Sequence, residues 1–433
     1  MENKAKARTA ASTPLYQASE LLQAILSGHG AADKQMETYF RHHPQMGVRD
    51  RGLVAELVYG CLRRRRFLEY LLGSIPTQPQ MLIAAYLVVI NGWSARALSD
   101  AGFKGDASVL VQQLRTQDRS SLPWEAQTNL PDWLSQRLIT QLGTDETLAL
   151  ALALNQPAPL DIRVNTQKTG REKLQSRLAE EGFPMDPTPF SAVGLRRNQR
   201  APLFNTASFK EGWFEVQDEG SQLLAVLLEP RRGERVADFC AGAGGKTLHL
   251  GALMGNTGTI YAFDILSKRL EQLKPRLVRA GLDNVRIQLI EHERDRRLQR
   301  LRGKIDRVLV DAPCSGTGTL RRNPDIKWRT NANDMETKLV ELVTIQNRIL
   351  AAAAELPKPG GRVVYATCSL LREENEEVVN HFLAHHADYK QIPVAEILAR
   401  RQVSLKNLDL GLRLFPHRHN TDGFYAAVLG RAV

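Results

Sequence analysis

Apolar residues recur at helical spacing through the first third of the chain, and short extended runs take over later. In "SELLQAILSG" (19–28), "RGLVAELVYGCLRRRRFLEYLLG" (51–73) and "PDWLSQRLITQLG" (131–143) they fall three and four apart, the repeat that gives a helix one apolar face. Pro76 and Pro79 break the pattern after the second stretch. The longest apolar run, "MLIAAYLVVI" (81–90), is too short to span a bilayer and predicts a buried helix. Residues 1–140 therefore predict a small all-helical domain. Over 145–210 the two periods mix. "PLDIRVNT" (159–166) predicts a strand and "REKLQSRLAEEG" (171–182) a helix closed by Gly182, together a small α+β unit leading into the main domain.

From about Gly233 the pattern becomes strand, loop, helix, repeated. The predicted strands are "RVADF" (235–239), "GTIYAFD" (258–264), "VRIQLI" (285–290), "DRVLVD" (306–311), "GRVVYAT" (361–367) and "FYAAVL" (424–429). Such alternation implies a mostly parallel sheet covered by helices on both faces, an α/β domain placed at 211–433. Ligands of these sheets bind beyond the carboxyl ends of the strands, where Cys314 and Cys368 both fall.

A length of 433 residues fits two or three domains, and 43% hydrophobic residues suffice for their cores. The start, "MENKAKARTA", has no hydrophobic segment of the signal-peptide kind, so a cytoplasmic protein is expected, and a monomer by default. A formal charge of +11 favours a polyanionic partner. Arg63–Arg66 reads as a phosphate-contacting patch in preference to a solvated helix face. The four cysteines, Cys61, Cys240, Cys314 and Cys368, form no close pairs, which argues against a disulfide framework or a zinc ribbon.

"ADFCAGAGGKTLHL" (237–250) runs strand, glycine loop, helix. Gly245-Lys246-Thr247 ends like a phosphate-cradling loop, but Cys240 stands where that motif needs its first glycine. Gly242 and Gly244 begin a dinucleotide fingerprint that Thr247 ends wrongly. Asp264 closes the next strand, where an acid accepts from ribose hydroxyls, so loop and acid together imply an adenosine-bearing ligand, with NAD and S-adenosylmethionine both open.

The cysteines narrow the chemistry. Carbon 5 of cytosine is too weak a nucleophile to take a methyl group directly; addition of a thiolate at C6 makes C5 enamine-like, and a second cysteine assists the later release of sulfur. Asp311, three residues before Cys314, is placed to stabilise charge at N3 of the base. A base stacked in a helix cannot reach such a site, so the target is single-stranded or flipped out. "RRNPDIKW" (321–328) offers basic side chains and an aromatic to clamp phosphates and stack a base, or forms a basic surface loop.

These residues resemble the NOP2/Sun family of RNA cytosine-C5 methyltransferases. The likeness is carried by "VQDEGSQL" (216–223), "DFCAGAGGKT" (238–247), "DAPCSGTGTLRRNPDIKW" (311–328), "YATCSLLREENEEVV" (365–379) and "HRHNTDGFYAAVL" (417–429), and extends through "DIRVNT" (161–166) and "LVYGCLRRRRFLE" (57–69). It is strongest to the bacterial branch that acts on 16S ribosomal RNA and carries a NusB-like N-terminal domain. The resemblance implies a Rossmann-like class I methyltransferase domain behind the α+β and helical domains, with S-adenosylmethionine as cofactor and ribosomal RNA as partner. It implies Cys368 as nucleophile, Cys314 as the residue assisting release, and Asp311 at the target base. Cofactor contacts would come from Asp238, Cys240, Ala241, Gly242, Gly244, Gly245, Lys246, Asp264, Arg269, Glu291 and Asp311. The chain departs from the family in two places. Residues 241–246 read AGAGGK where the family has A-A-P-G-G-K, and Glu291 or Asp295 stands for the usual aspartate beside the adenine, with Glu291 the better placed. Methylation of another RNA such as transfer RNA, or a non-catalytic RNA-binding assembly factor, are the competing readings.

Overall fold

The computed structural model describes residues 13–28, 30–73, 77–329, 332–406, 408 and 410–433, so the N-terminal stretch and Pro76 lie outside the described residues. The chain divides into two compact units, Met1–Pro157 with Leu320–Met335, and Ala158–Thr319 with Glu336–Val433.

The first unit is helical. Its helix Pro79–Val89 buries an unbroken run from Leu82 to Val88, as its all-apolar sequence requires. Gly60 on a neighbouring helix lets the two approach, since a Cβ there would lie 2.4 Å from the Tyr86 ring. The stretch 51–73, expected as one helix, is two: Val48–Arg63 and Arg65–Leu72, broken at Arg64. At the break the Leu62 and Arg63 carbonyls accept from Trp328 Nε1 (2.7 Å) and Lys327 Nζ (3.2 Å), while the Phe67 N–H goes to Asn129 Oδ1 (3.0 Å). A segment from far downstream thus occupies carbonyls that a continuous helix would keep for itself.

The second unit holds two sheets among its described residues. The smaller is antiparallel, in the order β2-β3-β1-β4, from β1 (Leu160–Val164), β2 (Asp186–Pro187), β3 (Gly194–Arg197) and β4 (Phe214–Val216). The larger contains β5 (Arg235–Asp238), β6 (Thr259–Asp264), β7 (Val285–Leu289), β8 (Ile305–Asp311), β9 (Pro357–Thr367), β10 (Tyr389–Ile392), β11 (Leu412–Leu414) and β12 (Phe424–Arg431). Its order is β10-β12-β9-β8-β5-β6-β7, with β11 also paired to β12. Pairs among β5 to β9 are parallel, and β12 runs antiparallel to β9, β10 and β11. The order reverses between β5 and β8, a switch point that opens a crevice at the carboxyl ends.

The central strands are continuous apolar runs because both faces are covered. Val236, Leu309 and Val364 face a layer that includes Leu223, Leu224 and Leu250. Their neighbours Ala237, Val308, Val310 and Tyr365 face Leu350, Val378 and Phe382 on the other side.

Candidate active site

In the parallel pair β8–β9, Asp311 lies opposite Ala366, so the loops that leave the two strands start side by side. The Gly318 N–H donates to the Cys368 carbonyl (2.9 Å). A Cβ at Gly318 would stand 2.1 Å from the Gly423 carbonyl and 2.8 Å from that of Cys368, so only glycine lets the three loops meet. This packing brings the Cys314 and Cys368 sulfurs to 3.4 Å, both partly exposed. The hydrogen bond with Cys368, together with burial, pushes the Cys314 thiol well above the ordinary thiol range. At neutral pH the proton stays on Cys314. The other two cysteines are elsewhere: Cys61 is buried in the helical unit, and Cys240 is packed beneath the glycine loop with its thiol pushed up by burial.

Lys246, in the first turn of the helix Gly245–Leu253, places Nζ 2.6 Å from Asp311 Oδ2. Burial acts to lower its ammonium, but the Asp311 carboxylate more than offsets that and leaves Lys246 above its ordinary value. The glycine loop and the acid at the end of β8 are therefore joined by one ion pair, which the sequence spacing did not suggest.

The glycine loop turns through Gly242 and Gly244, whose φ values are +56° and +85°. The Gly242 N–H donates to Asp264 Oδ2 (2.8 Å), and the Leu266 N–H donates to Oδ1 (2.8 Å). Asp264 is thereby fixed at the end of β6 with lone pairs to spare. Asp238 is buried at the end of β5; Thr247 Oγ1 donates to its Oδ2 (2.7 Å), and its Oδ1 has no hydrogen-bond partner among the described residues. Burial pushes the Asp238 carboxyl up to about 7, with the charge of Asp311 adding to the rise and the Thr247 hydrogen bond opposing it. An orphaned carboxyl oxygen, open space at Gly242 and Gly245, and acids ending two adjacent strands suit a ligand with cationic and hydroxyl groups. Ala241 is buried at the start of the loop, and Arg269 is exposed in the first turn of Ser267–Ala280. Glu291 is exposed two residues past β7, whereas Asp295 caps the short helix Arg296–Gln299, accepting from the Arg297 N–H (2.8 Å) and the Glu291 N–H (3.1 Å).

Two expectations about basic residues need correction. The "RRNPDIKW" segment is not a basic surface loop: of its three basic side chains Arg321 and Lys327 are buried, and Arg322 alone is partly exposed. Lys327 is 2% exposed and donates to the Arg63 carbonyl and Asn155 Oδ1, both at 3.2 Å. Asp325 Oδ2 accepts from the Ala32 N–H (2.9 Å), and Arg63 Nη2 donates to the Arg321 carbonyl (2.9 Å). Arg63–Arg66 is likewise mostly committed: Arg63 is buried, Arg65 pairs with Glu69 (2.7 Å), and Arg66 pairs with Asp132 (2.5 Å). Sequence reasoning could not see this, because the segment's partners lie 172 to 293 residues away along the chain.

A crevice of this kind on a parallel sheet, with the glycine loop after β5, defines a Rossmann-like methyltransferase domain. A solved structure of a methyltransferase homolog from Pyrococcus horikoshii shares it at a TM-score of 0.60 and 30% identity, covering 73% of this chain and 100% of that one. Residues 225–430 match the model of 16S rRNA methyltransferase RsmB/F, and residues 130–203 match the ferredoxin-like domain of RsmF/B-like methyltransferases. The chain is 32% identical to the probable ribosomal RNA small subunit methyltransferase B of Synechocystis sp., over 95% of this chain and 98% of that protein. It is 30% identical to ribosomal RNA small subunit methyltransferase B of Pseudomonas syringae pv. tomato, over 96% of each. The chain belongs to the RsmB/F family of 16S rRNA methyltransferases. Among the described residues no helix is long and apolar enough to cross a membrane.

Proposed function

We propose that the protein methylates C5 of one cytosine in 16S ribosomal RNA, using S-adenosylmethionine, through a covalent bond between Cys368 and C6. The observation that carries this reading is the 3.4 Å sulfur pair at the carboxyl ends of β8 and β9. With its own proton retained, Cys314 is placed 3.4 Å from the Cys368 sulfur to stabilise the thiolate form that adds to C6. Addition of that thiolate to C6 places electron density on C5. S-Adenosylmethionine, when bound, supplies the methyl group. Loss of the C5 proton to water then re-forms the C5–C6 double bond, and the Cys368 sulfur leaves as a thiolate that the Cys314 thiol stabilises.

Asp311 would meet N3 of the base. A carboxylate alone lacks the proton that N3 requires as charge develops on the ring; the protonated Lys246 at 2.6 Å provides it to the pair and takes it back once the methyl group is on C5. Asp238, Cys240, Ala241, Gly242, Gly244, Gly245 and Lys246 would hold the methionine end of the cofactor, Asp264 its ribose, and Arg269 and Glu291 the adenosine side. The net charge of +11 suits an RNA partner, and the NusB-like helical unit would contribute to docking it. The target cytosine would be unpaired or flipped out. The test is methylation of small-subunit rRNA that lacks the modification, followed by digestion to nucleosides. Labelled 5-methylcytidine supports the reading; label on another base, or only on transfer RNA, overturns it.

A further inference from the structure

Each cysteine of the pair is followed by a serine, and both serines end on the same buried carboxylate. Glu374, fully buried in the short turn Arg372–Glu374, accepts from Ser315 Oγ (2.5 Å) and Ser369 Oγ through Oε2. Its Oε1 accepts from the Ser315 N–H (2.8 Å) and from Gln346 Nε2 (3.0 Å). That same amide of Gln346, itself fully buried, donates to the Pro313 carbonyl (2.9 Å), one residue before Cys314. The two serine hydroxyls are 3.2 Å apart, and Thr317 Oγ1 stands 3.3 Å from each while accepting from the Leu370 N–H (2.9 Å). The Tyr365 hydroxyl, from β9, donates to the Glu374 carbonyl (2.7 Å) and fixes the turn to the sheet.

One carboxylate thus collects four donors, three of them from the two loops that carry the sulfurs. The hydrogen bonds of Glu374 reach the two cysteine loops through the serines that follow the cysteines. We propose that Glu374 is a positioning residue for the two-cysteine reaction: by holding Ser315 and Ser369 on one buried carboxylate it sets the separation and facing of Cys314 and Cys368. The inference rests on the proposed function for its catalytic meaning, while the geometric part stands on the thiols alone. A glutamine of the same shape offers one acceptor oxygen and an NH2 group in place of two acceptor oxygens, so part of the clamp must open. The negative charge also counts among the influences that keep the proton on Cys314.

The test uses the full chain carrying Glu374→Gln, and separately Ser315→Ala combined with Ser369→Ala. The second variant keeps the carboxylate with its Ser315 N–H and Gln346 donors, so it remains informative if the first does not fold. Dibromobimane, which becomes fluorescent on bridging two nearby thiols, reports the pair without any methyl transfer, with Cys314→Ser and Cys368→Ser as blanks. The expected result is bridging slowed by about 10-fold and kcat lowered by about 100-fold in both variants, with KM for S-adenosylmethionine unchanged. Wild-type bridging and wild-type kcat in both variants would overturn the proposal. A wild-type protein that bridges its thiols but methylates no cytosine would instead defeat the two-cysteine reaction, and the bridging rates of the variants would still decide whether Glu374 holds the pair.

Discussion

Lys327 should make the helical unit less stable in acid, by an amount the structure sets. Its ammonium lies in a site with no exposed surface to speak of, and burial, aided by the charges of Arg63, Arg64 and Arg66, lowers it from 10.5 to about 7. Between pH 7 and 10.5 the unfolded chain holds the proton and the folded one does not, so stability rises with pH across that window and is lowest below it. Integrated from pH 9 down to pH 6, the loss is about 2–3 kcal/mol. The perturbation is Lys327→Met, which keeps the length of the side chain without the charge. It also deprives the Arg63 carbonyl and Asn155 Oδ1 of a donor, a pH-independent cost of about 1–3 kcal/mol. The slope is therefore the diagnostic, not the offset. Four of the five tryptophans, Trp93, Trp124, Trp133 and Trp328, belong to the helical unit, so urea unfolding followed by intrinsic fluorescence reports on it. The stability difference between wild type and variant should shift in favour of the variant by about 2–3 kcal/mol on going from pH 9 to pH 6. A difference that stays constant over that range would refute a lysine buried without its proton.

Further outcomes follow from the same geometry. Gly318→Ala places a methyl group 2.1 Å from the Gly423 carbonyl and should lower methylation by about 100-fold, measured as kcat at saturating RNA. Lys246→Met leaves Asp311 without its cation; with the acid one third exposed, the expected cost is about 1–3 kcal/mol, a 10- to 100-fold loss of kcat/KM. Asp295→Ala removes a helix cap and should cost about 1 kcal/mol of stability with cofactor affinity unchanged, whereas Glu291→Ala should weaken cofactor binding in calorimetry and leave stability alone.

What the sequence disclosed follows from which forces are local. The central strands were legible because a strand buried on both faces must be apolar through its middle, as at Val308–Val310 in "DRVLVD" and Val363–Ala366 in "GRVVYAT". β10 and β11 were not, since "YKQI" and "LRL" are too short and too polar to carry a period. The break at Arg64 was hidden because its cause, Lys327 and Trp328, arrives from the other end of the chain. The glycine loop and both cysteines stood out as residue types with few other uses at strand ends. Glu374 did not, because an acid in "REEN" looks like any helix start until the fold brings two serines to it. The basic runs misled for the opposite reason: charge in sequence says nothing of whether a side chain is already paired.

The assay that bears most directly on the two-cysteine reaction is denaturation-resistant RNA–protein adduct formation with unmodified small-subunit rRNA and S-adenosylmethionine, compared across wild type, Cys314→Ala and Cys368→Ala. Turnover without accumulation is expected in wild type, accumulated adduct in Cys314→Ala, and none in Cys368→Ala. Adduct from the Cys368→Ala protein would contradict the assignment of the nucleophile and, with it, the roles given to both sulfurs.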